Sequence, residues 1–250
     1  MNGGPAMLGY VTDPSAPAGI TRRELPGPQP GPHDVLVEVG AFAVNRGELS
    51  LIEQRRDGWS PGQDVAGVVV AATQDGTGPG VGSRVVGIAD GGGWSERVPV
   101  PSHRAAELPE QVSFAQAAAL PVAGLTALRA LRTGGALIGR RVLVTGASGG
   151  VGSFAVQLAR AAGARVSALV SSNSRMDAVT GLGADEVLTE LGPGSGPFDL
   201  VLDGVGGSVL TAAIRRLAQG GLVAAYGVAS GERSDVAFYD FAAAAPGGRL

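Results

Sequence analysis

Residues 142–154 read VLVTGASGGVGSF, an apolar run that empties into a stretch with almost no side-chain bulk before a helical pattern begins. The spacing Ala147-x-Gly149-x-x-Gly152 suits the binding of a pyrophosphate. A small residue at Ala147 permits a tight turn out of a strand, Gly149 lets backbone approach an anion, and Gly152 lets the following helix pack closely. The exposed loop, Ala147, Ser148, Gly149, Gly150 and Val151, would then offer the N–H groups and partial positive charge of a helix N-terminus to phosphate oxygens. A glycine-rich chain also produces such spacings in ordinary turns. Here the strand before, the helix after and a second strand about 20 residues on favour the nucleotide.

The second strand reads as Val166 to Val170 and ends in Ser171-Ser172-Asn173-Ser174-Arg175. A carboxylate at that tip would hold the ribose hydroxyls of NAD, and none is present. Ser171 and Ser172 offer hydroxyl donors and Arg175 a charge-assisted one, so a 2′-phosphate is favoured and the cofactor is expected to be NADPH. The alternative is that these are solvated loop residues capping the next helix.

What is missing narrows the chemistry further. The 250 residues contain no cysteine, and all 19 basic residues are arginine. Disulfides, thiolate nucleophiles, Schiff-base lysines and a Tyr-x-x-x-Lys relay are therefore excluded. A catalytic zinc site needs about three protein ligands, typically Cys or His. The only histidines, His33 and His103, sit in proline-rich turns and read as surface residues, so no metal is expected. The net charge of −3 gives no basic surface for nucleic acid. No secretory leader and no run of about 18 apolar residues is evident, so the expected location is cytoplasmic, away from membranes.

The elements that must position these residues change character along the chain. The first hundred residues read as short strands between Gly/Pro clusters: Val35 to Val39, Val65 to Val70 and Arg84 to Ile88, suggesting a small barrel-like β domain. Ser113 reads as the N-cap of a helix over 114–120. Pro121 interrupts it, and the next helix is expected over 124–132. From Arg141 strands and helices alternate: 142–145, helix 151–162, 166–170, helix 174–181, 186–188, 199–202, helix 208–218, and 222–226. This is the pattern of a parallel sheet built from βαβ units.

The segments VLVTGASGGVGSFAVQLARAAGARVSALV, LGADEV, FDLVLDGVGG and GGLVAAYG share one register with the upstream VLVEVGAFAVNRGEL, PGQDVAGVVV and GSRVVG. Together they resemble the medium-chain dehydrogenase/reductase superfamily, in its zinc-free quinone oxidoreductase branch. The resemblance implies an α/β fold: a GroES-like catalytic domain (1–112), then a Rossmann doubly wound parallel sheet (113–250) that binds NADP(H). It implies hydride transfer from NADPH to a quinone or an α,β-unsaturated carbonyl. Carried over by motif, it implies that Asn45 lies near the nicotinamide and acts in catalysis, and that Thr126 meets the cofactor. It further implies that Val205, Gly206 and Gly227 lie along the cofactor. A homodimer through the edge of the Rossmann sheet is a further implication.

Departures from the family accompany these matches. No tyrosine follows Asn45, where many relatives have one, and Glu48 stands where an aspartate is common. Glu48 is expected to be a structural carboxylate bonded to loop backbone. The chain stops at Leu250, where a sixth strand would be starting. It is therefore expected to be a fragment, or the ordered part, of a longer protein. The alternative function is a non-catalytic NADPH-binding redox sensor or partner-binding module.

Overall fold

The computed structural model describes residues 5–237, 239–240 and 245–250. The first four residues of the N-terminal domain, and residues 238 and 241–244 of the second, lie outside them. The chain divides into two compact units, residues 1–122 and 123–250.

The first unit is antiparallel. A two-stranded ribbon pairs β1 (Met7–Thr12) with β2 (Ile20–Leu25). A five-stranded sheet in the order β6-β3-β4-β5-β7 comprises β3 (Asp34–Phe42), β4 (Asp64–Ala71), β5 (Arg84–Ile88), β6 (Arg97–Pro101) and β7 (Ala105–Glu107). Alternation sets its core: Val35 and Val37, Val65 and Val69, Val85, and Val98 and Val100 all turn to one buried cluster. Two of the expected strands stand within the longer β3 and β4, the third is β5 itself, and β1, β2, β6 and β7 join them.

Two features of this unit correct the sequence expectations. Residues 46–54 form a helix, α1 (Arg46–Gln54), in a region read as strands and turns. The signal was present: Asn45 is its N-cap and Glu48 its N3 residue, a capping box that outweighs the single glycine inside. The helix from Ser113 is short, α2 (Phe114–Ala118), and Pro121 does not separate two helices but begins the second, α3 (Pro121–Arg132). At a first helical position proline gives up an N–H that has no intrahelical partner. Helix α2 lies so close to β3 that a methyl group on Gly40 would stand 2.5 Å from the Phe114 ring.

The second unit is a parallel sheet in the order β10-β9-β8-β11-β12. Its strands are β8 (Arg141–Thr145), β9 (Arg165–Leu169), β10 (Glu186–Leu188), β11 (Phe198–Asp203) and β12 (Leu217–Ala225). Helices α4 (Gly150–Ala161), α5 (Met176–Thr180) and α6 (Gly207–Ile214) connect them. Successive residues serve opposite faces. Val142, Val144, Leu200 and Leu202 pack in one cluster with Val156 and Ala159 of α4. Leu143 and Val201 pack in another with Ala213 and Ile214 of α6. A sheet covered on both faces requires such unbroken apolar strands.

Helix α6 ends earlier than its apolar pattern suggested, at Ile214 rather than near 218. β12 begins at Leu217, and its register to β11 shifts between Phe198 and Leu200. Gly220, at φ +69°, lies in this irregular stretch, so the start of the strand carries no period-2 signal. Beyond β12, Arg249 forms a parallel bridge to Leu222.

Candidate functional site

Apart from Thr126, which lies on α3, the expected nucleotide residues of the second unit stand at the carboxyl ends of its parallel strands, where an α/β sheet binds ligands. The turn out of β8 is made by Gly146, at φ +61°. Ala147 is fully buried behind it, while Gly149 and Gly150 are exposed. The tightest position is Gly152, where a methyl group would meet Gly146 O at 2.3 Å and Ala147 Cα at 2.7 Å. At Gly149 the nearest atom would be 3.2 Å away. Gly146 and Gly152 thus shape the loop, and Gly149 keeps its outer surface bare. The N–H groups of Gly150, Val151 and Gly152 open helix α4 and have no backbone acceptor among the described residues. This cradle fits a dinucleotide pyrophosphate.

Ser171 follows β9 and is exposed, as is Arg175, while Ser172 is half-buried and its Oγ lies 2.9 Å from Ser174 Oγ. Arg175 Nη1 donates to Ser148 Oγ at 3.2 Å. The structure therefore joins the tip of the second strand to the glycine loop through two residues singled out separately in the sequence. Thr126 lies half-buried on α3.

Val205 and Gly206 form the turn between β11 and α6, with Gly206 at φ +70°. The Gly206 N–H is spent on Asp203 Oδ2 at 2.9 Å, and Val205 O accepts from Ser230 N at 2.9 Å. Their polar backbone groups thus build the loop, and the half-buried Val205 side chain remains as its surface. Gly227 packs against this turn; a methyl group there would meet Gly204 O at 3.0 Å. Two residues not singled out in the sequence hold the arrangement. Thr145 and Asp203 are both fully buried; Thr145 Oγ1 donates to Asp203 Oδ1 at 2.6 Å and accepts from Gly204 N at 3.1 Å. The signal was an acid closing the apolar run Phe198-Asp-Leu-Val-Leu-Asp203. Burial, and then the Asp203 carboxylate, push the nearby Tyr226 hydroxyl to a raised pKa.

Asn45 belongs to the first unit. Its Nδ2 donates to Asp64 Oδ2 at 2.9 Å, and its backbone N–H donates to Glu48 Oε2 at 2.7 Å. Glu48 Oε1 accepts from Gln63 N at 2.8 Å, which makes it the backbone-bonded carboxylate expected. Asp64 also accepts from Val122 N, 3.1 Å from each of its oxygens, at the start of α3. Burial raises the pKa of both acids, opposed by these donors, and the Asp64 charge raises that of Glu48 further. His33 and His103 are exposed, and His33 Nδ1 lies 3.1 Å from Asp75 Oδ2. Among the described residues no three His, Asp or Glu side chains gather as metal ligands, and no helix is long and apolar enough to cross a membrane.

A glycine turn, a bare helix N-terminus and the strand order define a dinucleotide-binding unit, here following an antiparallel β unit. Residues 31–110 match the alcohol dehydrogenase GroES-like domain, and residues 150–245 match the zinc-binding dehydrogenase family. The chloroplast envelope quinone oxidoreductase homolog of Arabidopsis thaliana is 36% identical over 197 residues, which is 72% of this chain. That match spans 60% of the relative's length. The quinone oxidoreductase of Pseudomonas syringae pv. Tomato DC3000 superposes with a TM-score of 0.86 at 30% identity, covering 98% of this chain and 80% of that one. The mycobacterial Rv1454c, solved in complex with NADPH, superposes at 0.87 with 29% identity, covering 98% and 80%. The chain belongs to the medium-chain dehydrogenase/reductase superfamily and is quinone-oxidoreductase-like, with a GroES-like domain and a Rossmann sheet.

Proposed function

We propose that this protein binds NADPH and reduces a quinone or an α,β-unsaturated carbonyl without a metal. The observation that carries the reading is the pairing of Arg175 with Ser148 beside the α4 N-terminus, with Ser171 rather than a carboxylate after β9. The N–H groups opening α4 would hold the pyrophosphate, and Ser171, Ser172 and Arg175 would hold the 2′-phosphate. Thr126, Val205, Gly206 and Gly227 would line the cofactor, with Asn45 near the nicotinamide. Bound NADPH supplies the hydride. With no tyrosine after Asn45, the reduced acceptor takes its proton from water. The absence of cysteine supports zinc independence. The quinone oxidoreductases among its relatives support the acceptor class.

The test is NADPH consumption at 340 nm against a panel of quinones and enones, before and after prolonged chelation. Turnover that survives chelation is expected. Binding of NADPH with no turnover on any acceptor would replace this reading by a redox sensor. Loss of turnover with loss of stoichiometric zinc would overturn the metal-free mechanism. A homodimer through the β12 edge belongs to the same reading, and sedimentation at dimer mass is its expected result.

A further inference from the structure

Glu48 and Asp64 are the two buried acids of the first unit, at 2% and 0% exposure. Burying a carboxylate is costly unless a cation or several donors compensate. Neither acid forms an ion pair among the described residues; every donor they receive is an N–H group. Both acids converge on one residue. Glu48 takes the backbone N–H of Asn45 and Asp64 takes its side-chain N–H. A carboxylate only accepts, so contact with Asp64 also decides which way round the Asn45 amide lies, with nitrogen toward the acid. Glu48 is further tied to Gln63 N, directly before Asp64, and Ala43 N donates to Asp64 O at 3.1 Å. The backbone on both sides of Asn45 is thereby fixed to the strand that carries Asp64.

We propose that Asp64 is a positioning residue that holds the Asn45 amide in a single orientation, and that reduction by this protein depends on that orientation. The second half rests on the function proposed above. Asp64 touches neither cofactor nor acceptor in this scheme; it bears on the reaction through Asn45, while its bond to Val122 N ties it to the start of α3. Two buried acids without a cation are a poor way to stabilise a loop, since apolar side chains of the same size would avoid the desolvation cost. They are a good way to fix an amide, because each supplies strong, directional acceptors at one end of the residue.

The test has two arms. The first needs no activity. The chain has only three asparagines, Asn2, Asn45 and Asn173, so asparagine-selective ¹⁵N labelling resolves each side-chain amide. In the unliganded protein the Asn45 amide protons should exchange slowly and differ widely in shift, unlike those of exposed Asn173. Asp64→Asn should shift them and speed their exchange, while the Asn2 and Asn173 signals stay in place and thermal unfolding, at a lowered midpoint, remains cooperative. Asn45 amide protons that exchange as fast as those of Asn173 would overturn the proposal. The second arm is a double-mutant cycle. Asp64→Ala should lower kcat by about tenfold or more with the NADPH dissociation constant nearly unchanged. Asn45→Ala should do the same, and the double variant should lie within about twofold of Asn45→Ala alone. If Asp64→Ala costs the same factor again without Asn45, Asp64 acts independently and the proposal fails. If the unmodified protein turns over no acceptor, the proposed function falls, and with it the dependence of reduction on Asp64. The first arm still decides whether Asp64 orients Asn45.

Discussion

Gly152 and Gly149 sit three residues apart in the same loop and serve different physical ends. A Cβ at Gly152 would lie inside the contact distance of Gly146 O and Ala147 Cα, both backbone atoms that cannot swing aside. Gly152→Ala is expected to cost about 1–3 kcal/mol of unfolding free energy, the usual range for overpacking. It should also weaken nucleotide binding, because the strand-to-helix turn must open. At Gly149 the nearest atom is 3.2 Å from an added Cβ and φ is −80°, so Gly149→Ala should cost clearly less than Gly152→Ala. Urea unfolding of the two variants checks the contrast. Equal losses would mean that helix packing does not set the glycine pattern. The sequence pattern marked both positions but could not rank them, and it passed over Gly146, whose positive φ makes the turn. Backbone conformation has no signature of its own in a chain with 42 glycines.

At the scale of elements, the three loops that build the nucleotide face are joined by Asp203. Its side chain binds Thr145 at the end of β8 and Gly206 at the start of α6, and its carbonyl accepts from Tyr226 N at 2.8 Å beyond β12. Asp203→Asn keeps the size but replaces one acceptor with a donor facing either the Thr145 hydroxyl or the Gly206 N–H. A loss of about 1–3 kcal/mol is expected, the cost of leaving a buried polar group unsatisfied. NADPH affinity should fall with it, read by urea unfolding and by fluorescence titration. A stable variant with unchanged affinity would mean the loops are held by their backbone bonds alone. Legibility in the sequence followed periodicity. The βαβ half was readable because its strands are apolar runs set between helical patterns, and β10 falls on the expected residues, as β5 does in the antiparallel unit. Helix α1 and strands β1, β2, β6 and β7 were not: Arg-Arg-Glu-Leu of β2 is polar, and the prolines of Arg-Val-Pro-Val-Pro in β6 read as turn rather than strand. β6 and β7 are placed by pairing with β3 and β5, β1 and β2 by pairing with each other, and α1 by the cap at Asn45.

For the molecule as a whole, each unit presents its own part of the proposed reaction. The second unit offers a helix N-terminus, a bare glycine surface and the Ser148–Arg175 contact. The first offers an asparagine held between two buried acids. The candidate residues near the glycine loop were legible because a phosphate site is continuous in sequence. The supports, Asp64, Thr145 and Asp203, were not, because their partners lie 19 to 59 residues away. We infer that the second unit is built for a 2′-phosphorylated dinucleotide. Fluorescence titration of the unmodified protein with NADPH and with NADH tests it most directly. Charge-assisted bonds of about 1.5–3 kcal/mol each predict that NADPH binds about tenfold tighter or more. Ser171→Asp should erase or reverse that preference. Equal affinity for the two cofactors in the unmodified protein would contradict the account.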